Sequence, residues 1–89
     1  MIKQQLTVIN QLGLHARAAA KLVSTASGFS STICITANEH KVDAKSIMGI
    51  MMLAATCGTT VEITASGEDE NAAMLAIEEL FTEYFDEGG

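Results

Sequence analysis

Ile2, Gln4, Leu6 and Val8 alternate with Lys3, Gln5 and Thr7, the two-residue period of a strand with one covered face. Gly13 interrupts it. From Ala16 to Ala26 the period changes. Ala19, Leu22, Val23 and Ala26 recur at helical spacing, while Arg17, Lys21 and Ser24 fall on the other face. Ser27-Gly28 predicts the end of this helix, with the glycine in the left-handed region. Ile33, Ile35 and Ala37 alternate with Cys34 and Thr36; Asn38-Glu39 predicts a turn and His40 to Asp43 a short return strand. Ser46 stands where it would cap a short helix from Ile47 to about Leu53, with Gly58 as its stop. Val61, Ile63 and Ala65 predict a last strand, with Glu62 and Thr64 on its other face. Glu68-Asp69-Glu70 put negative charge at the start of a final helix, where the dipole favours it. Ala73, Ile77, Leu80 and Tyr84 give that helix an apolar stripe, and Gly88-Gly89 are expected to fray.

The order is βαββαβα. Three helices among four short strands predict an α/β sandwich, with the helices on one face of the sheet and solvent on the other. Lys3, Gln5, Thr36, Glu62 and Thr64 would line the solvent face. No repeat, proline or linker composition divides the 89 residues, which read as one domain, 1–89.

Composition narrows the function. Eleven acids against five bases give a net charge of −6, which disfavours a non-specific nucleic-acid binder and an anionic membrane surface. The charge is uneven, however. All five bases (Lys3, Arg17, Lys21, Lys41, Lys45) lie in residues 1–45, and nine acids with no base lie in residues 46–89. An anion site therefore belongs in the first half, and Arg17, Lys21 and Lys45 are the bases nearest the candidate segments. No signal peptide or membrane span is expected, and Cys34 and Cys57 read as reduced thiols of a cytoplasmic protein. His15, Cys34, His40 and Cys57 lack zinc-ligand spacing, so no metal is expected.

The candidate chemistry lies in Gly13-Leu14-His15-Ala16-Arg17. His15 falls at the predicted start of the first helix, where backbone N–H groups lack internal partners and the dipole adds roughly half a positive charge. An anion on His15 would meet the amides of Ala16 and Arg17 and the Arg17 guanidinium. Spacing alone leaves a second reading open, a solvated histidine beside a solvated arginine.

Gly13-Leu14-His15-Ala16-Arg17 resembles the active-site signature of the histidine-containing phosphocarrier (HPr) family of the phosphoenolpyruvate phosphotransferase system. Lys45-Ser46-Ile47-Met48-Gly49-Ile50-Met51 resembles that family's regulatory serine segment, and the resemblance spans essentially the whole chain. It implies an open-faced β-sandwich with a four-stranded antiparallel sheet. It also implies that His15 accepts a phosphoryl group on Nδ1 from enzyme I and passes it to an enzyme IIA-type protein, with Arg17 neutralising its oxygens. The protein would be a stoichiometric intermediate rather than an enzyme, monomeric and without a cofactor. Ser46 would be phosphorylated by an HPr kinase/phosphorylase, and Ile47, Met48 and Met51 would form an apolar docking patch. Two positions depart from the usual pattern: Ala18 replaces a proline, and Leu12 an Asn or Ser. Leu12, Gly28-Phe29 and Phe85-Asp86-Glu87 resemble the nitrogen-regulatory (NPr-like) branch, whereas Lys45 to Met51 resembles kinase-regulated members. The alternative function is a mainly regulatory phosphoprotein, either of a nitrogen-type system or a kinase-controlled binding module.

Overall fold

The computed structural model describes residues 1–86; the expected fraying of Gly88-Gly89 lies outside them. Among these residues the chain forms β1 (Ile2–Thr7), α1 (Ala16–Ser27), β2 (Thr32–Ala37), β3 (His40–Asp43), α2 (Ile47–Met52), β4 (Thr60–Ser66), α3 (Glu70–Thr82) and a closing 3₁₀ turn at Tyr84–Asp86. The strands pair antiparallel in the order β1-β4-β2-β3. The fold is the open-faced sandwich that the resemblance implied, with the helices on one face of the sheet as the residue pattern predicted.

Register explains why one face closes. Ile35 pairs with Ile63, Ile33 with Ala65 and Leu6 with Val61, so the apolar halves of three strands share a face. The same pairing puts Lys3 opposite Thr64 and both Gln5 and Thr36 opposite Glu62 on the open face. Ala18, Ala19, Leu22 and Ala26 of α1 and Ala73, Met74, Ile77 and Phe81 of α3 complete the core. The alanines let both helices lie close to the sheet, which is how a chain with few aromatics fills its interior. Cys34 and Cys57 are unbridged.

Three local expectations are corrected. Gly28 is right-handed (φ −75°). Its N–H donates to the Thr25 carbonyl and that of Phe29 to Ala26, so tight i→i+3 bonds carry the chain out of α1 with no left-handed residue. Gly58 does not stop α2. The helix ends at Met52 and Ala54 makes the turn with φ +52°, pinned between buried Leu53 and Ala55. Tyr84 is no part of the α3 stripe. α3 stops at Thr82, Tyr84 and Phe85 both take positive φ, and Phe85 is turned inward onto Phe81 (ring centroids 4.8 Å apart) while Tyr84 faces solvent.

Asp69 ties the two ends of the helical layer. Its carboxylate accepts from the N–H groups of Ser30 (2.8 Å) and Ser31 (3.0 Å) and from the Ser31 hydroxyl, so the turn after α1 is fastened to the start of α3. The Ser31 hydroxyl first, and then the Ser30 amide, hold this carboxyl at about 2 against an ordinary 3.8. A depressed carboxyl stabilises fully above its unfolded value and loses that contribution as pH falls through the folded value. Asp69→Ala is therefore expected to melt below the wild type by a constant margin from about pH 7 to 5, a margin that closes between about pH 4 and 2. Thermal melts across that range check it; a margin unchanged at pH 2 overturns the assignment.

Candidate functional site

The loop between β1 and α1 is fixed from both sides before it reaches His15. The Val8 N–H donates to the Thr59 carbonyl (2.9 Å) and the Gly58 N–H to the Val8 carbonyl (2.7 Å), which extends the β1–β4 pairing past the strand ends. Fully buried Asn10 then closes a turn: its Nδ2 donates to the Gly13 carbonyl (2.7 Å) and the Gly13 N–H returns to the Asn10 carbonyl (3.1 Å). Gly13 sits at φ +69°, and a Cβ there would stand 2.6 Å from the Ala55 carbonyl oxygen. The Leu14 N–H donates to that same oxygen (2.9 Å), and the Leu14 side chain is buried as a plug.

These constraints deliver His15 to the N-cap of α1 with an extended backbone (φ −75°, ψ −178°). Its carbonyl accepts from Ala19 (2.8 Å) and starts the helix, while its imidazole makes no capping bond to the first turn. The ring is half-buried; Ala16 and Arg17 beside it are exposed. Ala18 is fully buried. It keeps a backbone N–H in the first turn, which a proline there would lack.

α2 packs against α1, and the chain leaving α2 returns through Ala55 to Gly13 and Leu14. Ser46 caps α2: its Oγ accepts from the Gly49 N–H (3.1 Å) and its carbonyl from Ile50 (3.0 Å). Ile50 is buried beneath the helix, whereas Ile47, Met48, Met51 and Met52 are all exposed. Leu12, 70% exposed in the His15 loop, adds to the apolar surface at this end.

The structure thus brings His15, Ala16 and Arg17 into one helical turn, and it lays the segment of Ser46, Ile47, Met48 and Met51 on the helix that packs beside it. It does not bring Lys21 and Lys45 to the site, as their sequence positions suggested. Lys21 Nζ donates to the Phe85 carbonyl (2.6 Å) and Lys45 Nζ to the Phe29 carbonyl (2.9 Å). Each cation satisfies a carbonyl that the fold leaves at a chain turn, the second just beyond the C-terminus of α1. Sequence reasoning missed Asn10. An Asn three residues before a glycine, just after a strand, is the signal that a side-chain-closed turn leaves.

The chain is similar to known proteins over nearly its whole length. Residues 2–83 match the family described as the PTS HPr component phosphorylation site. The chain is 51% identical over 88 residues to the phosphocarrier protein HPr of Neisseria meningitidis serogroup A, covering 99% of each chain. An HPr structure from Thermoanaerobacter tengcongensis superposes with a TM-score of 0.94 at 45% identity, covering 98% of each chain. A dimeric HPr structure from the same organism is also similar, with a TM-score of 0.77, 45% identity, and coverage of 96% of this chain and 98% of that one. Among the described residues no helix is long and apolar enough to cross a membrane. The chain belongs to the HPr family, the phosphocarrier proteins of the phosphotransferase system.

Proposed function

We propose that this chain, as one domain, accepts a phosphoryl group on Nδ1 of His15 from phosphorylated enzyme I and passes it to a histidine of an enzyme IIA-type protein. The observation that carries this reading is His15 at the N-cap of α1, with Arg17 exposed in the same turn. In each transfer the N–P bond to the donor histidine breaks as the N–P bond to the acceptor forms, so no proton relay is required. Such a transfer needs alignment and charge stabilisation. The pinned loop aligns the ring. The first-turn amides of Ala16 and Arg17 and the positive end of the α1 dipole face the incoming oxygens. The Arg17 guanidinium supplies a full positive charge. The carrier is used stoichiometrically and is regenerated only by handing the group on.

The test is direct. With phosphoenolpyruvate and enzyme I, the protein gains one acid-labile phosphate and loses it on addition of an enzyme IIA-type acceptor. Absence of acid-labile phosphate overturns the reading. Arg17→Ala is expected to slow acceptance by about ten- to a hundredfold, the loss of one charge-assisted hydrogen bond of about 1.5–3 kcal/mol, without moving the phosphate. Stopped-time labelling checks it; an unchanged rate removes Arg17 from the mechanism.

Ile47, Met48 and Met51 serve as the apolar part of the docking surface, since methionine adapts to two successive partners. Ser46 carries the regulatory function: phosphorylation there adds about −1.5 to −2 charge beside the surface that both partners use. This tempers the alternative of a mainly regulatory module to a second role of the same chain. Ser46→Ala is expected to lose ATP-dependent kinase labelling, keep the acid-labile label, and melt about 4–8 °C lower because the cap of α2 is worth about 1 kcal/mol. Kinase label persisting in that variant overturns the assignment. The chain acts as a monomer in this scheme; sedimentation at working concentration distinguishes that from the dimer seen in a relative.

A further inference from the structure

Three methionines occupy one six-residue helix, and none is core. Met48 is 68% exposed, Met51 43% and Met52 67%, whereas Met74 in α3 is 4% exposed. Positions 48, 51 and 52 are spaced three and four apart and so share a face of α2. A thioether is the apolar side chain that a mild two-electron oxidant converts into a polar one. We propose that Met48, Met51 and Met52 form a reversible oxidation site through which peroxide uncouples the carrier from its partners. This rests on the docking role of α2 given above.

The chemistry balances without any group from the protein. A sulfur lone pair attacks one oxygen of hydrogen peroxide and the O–O bond breaks. The S–O bond forms, and the other oxygen leaves as water once it has taken up the proton of the transferred oxygen. The product sulfoxide is a strong hydrogen-bond acceptor that resists burial against an apolar partner. The fold survives the change, because α2 is held from beneath by Ile50, Leu53 and the Ser46 cap rather than by these side chains. The lesion therefore falls on docking alone, and a methionine sulfoxide reductase with a dithiol reductant reverses it.

Three other oxidisable side chains are separable. Met1 is 76% exposed but precedes β1, whose opposite end leads into the His15 loop; Met1→Leu removes it. Cys57 and Cys34 also meet peroxide, and dithiothreitol restores their sulfenic acids or disulfides but leaves a sulfoxide in place.

The experiment treats the whole Met1→Leu protein with hydrogen peroxide, then dithiothreitol, and maps a gain of about 16 Da per oxidised methionine. Met48 and Met52 are expected to oxidise well before Met74. Acceptance from phosphorylated enzyme I should fall about five- to tenfold, the loss typical of spoiling an interface anchor. Sulfoxide reductase restores it. Met48→Leu/Met51→Leu/Met52→Leu keeps an apolar face and helix propensity; measured against its own untreated rate, its transfer should not change with peroxide. Undiminished transfer by protein carrying sulfoxide at Met48 and Met52 overturns the proposal, as does equal peroxide sensitivity of the leucine variant. Unoxidised Met48→Gln separates the two levels. If it transfers at the full rate, the docking role fails and this proposal with it. If it is slow while the sulfoxide form is not, this proposal alone fails.

Discussion

His15→Ala is expected to take no acid-labile phosphate from phosphoenolpyruvate and enzyme I, with labelling at least about a hundredfold lower, at the level of the protein-free control. In the proposed transfer the ring nitrogen is the acceptor, and nothing at the start of α1 replaces it. Ala16 and Arg17 offer amides and a guanidinium, which bind an anion, but the guanidinium stays protonated and has no free nitrogen lone pair to attack phosphorus. His40 lies on β3, at the far edge of the sheet from β1, so it gains no help from the α1 terminus. Ser46 would give an acid-stable ester. The fold itself tolerates the change. The imidazole makes no capping bond, and the buried neighbours Leu14 and Ala18 stay in place. The expected melting shift is therefore below about 1 kcal/mol, or a few degrees. Phosphate release at low pH and a thermal melt of the same sample check both halves. Stoichiometric acid-labile label in the variant would place the acceptor elsewhere.

The residues that the sequence made legible are those whose environment is repetitive. Ile33, Ile35, Val61 and Ile63 alternate because one face of the sheet is dry, and the register then follows from matching dry face to dry face. Ser46 was readable because a cap needs only its own helix. His15 was readable because the resemblance named it; its place at a helix start was a consequence of Gly13 and of the apolar positions after it. The failures share a cause. Ala54, Tyr84 and Phe85 take positive φ without being Gly or Asn, because buried neighbours and a lysine–carbonyl bond hold them there. Lys21 and Lys45 looked like phosphate cations, yet each serves a carbonyl 64 or 16 residues away in sequence. Long-range contacts of this kind leave no periodic trace. Of the basic side chains near the candidate segments, Arg17 is thus the one exposed in the His15 turn, which sharpens what a charge count could only suggest.

Gly13→Ala tests how far the histidine depends on the loop behind it. The backbone stands at φ +69°, which costs an L-residue about 1–2 kcal/mol. The new methyl would also stand 2.6 Å from the Ala55 carbonyl oxygen and 2.9 Å from Thr56 Cα. Both are main-chain atoms, so no side chain can swing away; the loops must part, and overpacking of this kind adds about 1–3 kcal/mol. A total of about 2–5 kcal/mol lowers the melting temperature by roughly 10–25 °C in a chain of this size. Gly58→Ala supplies the comparison. Its φ is +96°, but a Cβ there meets nothing within 4 Å, so it bears the conformational cost without the clash. Parting the loops also stretches the Leu14–Ala55 bond that sets the entry to α1, and His15 is the next residue. Gly13→Ala is therefore expected to transfer phosphate more slowly than Gly58→Ala even well below both melting temperatures, where each is fully folded. Melts and labelling rates of the two variants side by side decide it. If they melt within a degree or two of each other and transfer alike, the close approach of Gly13 to Ala55 does not govern the position of His15.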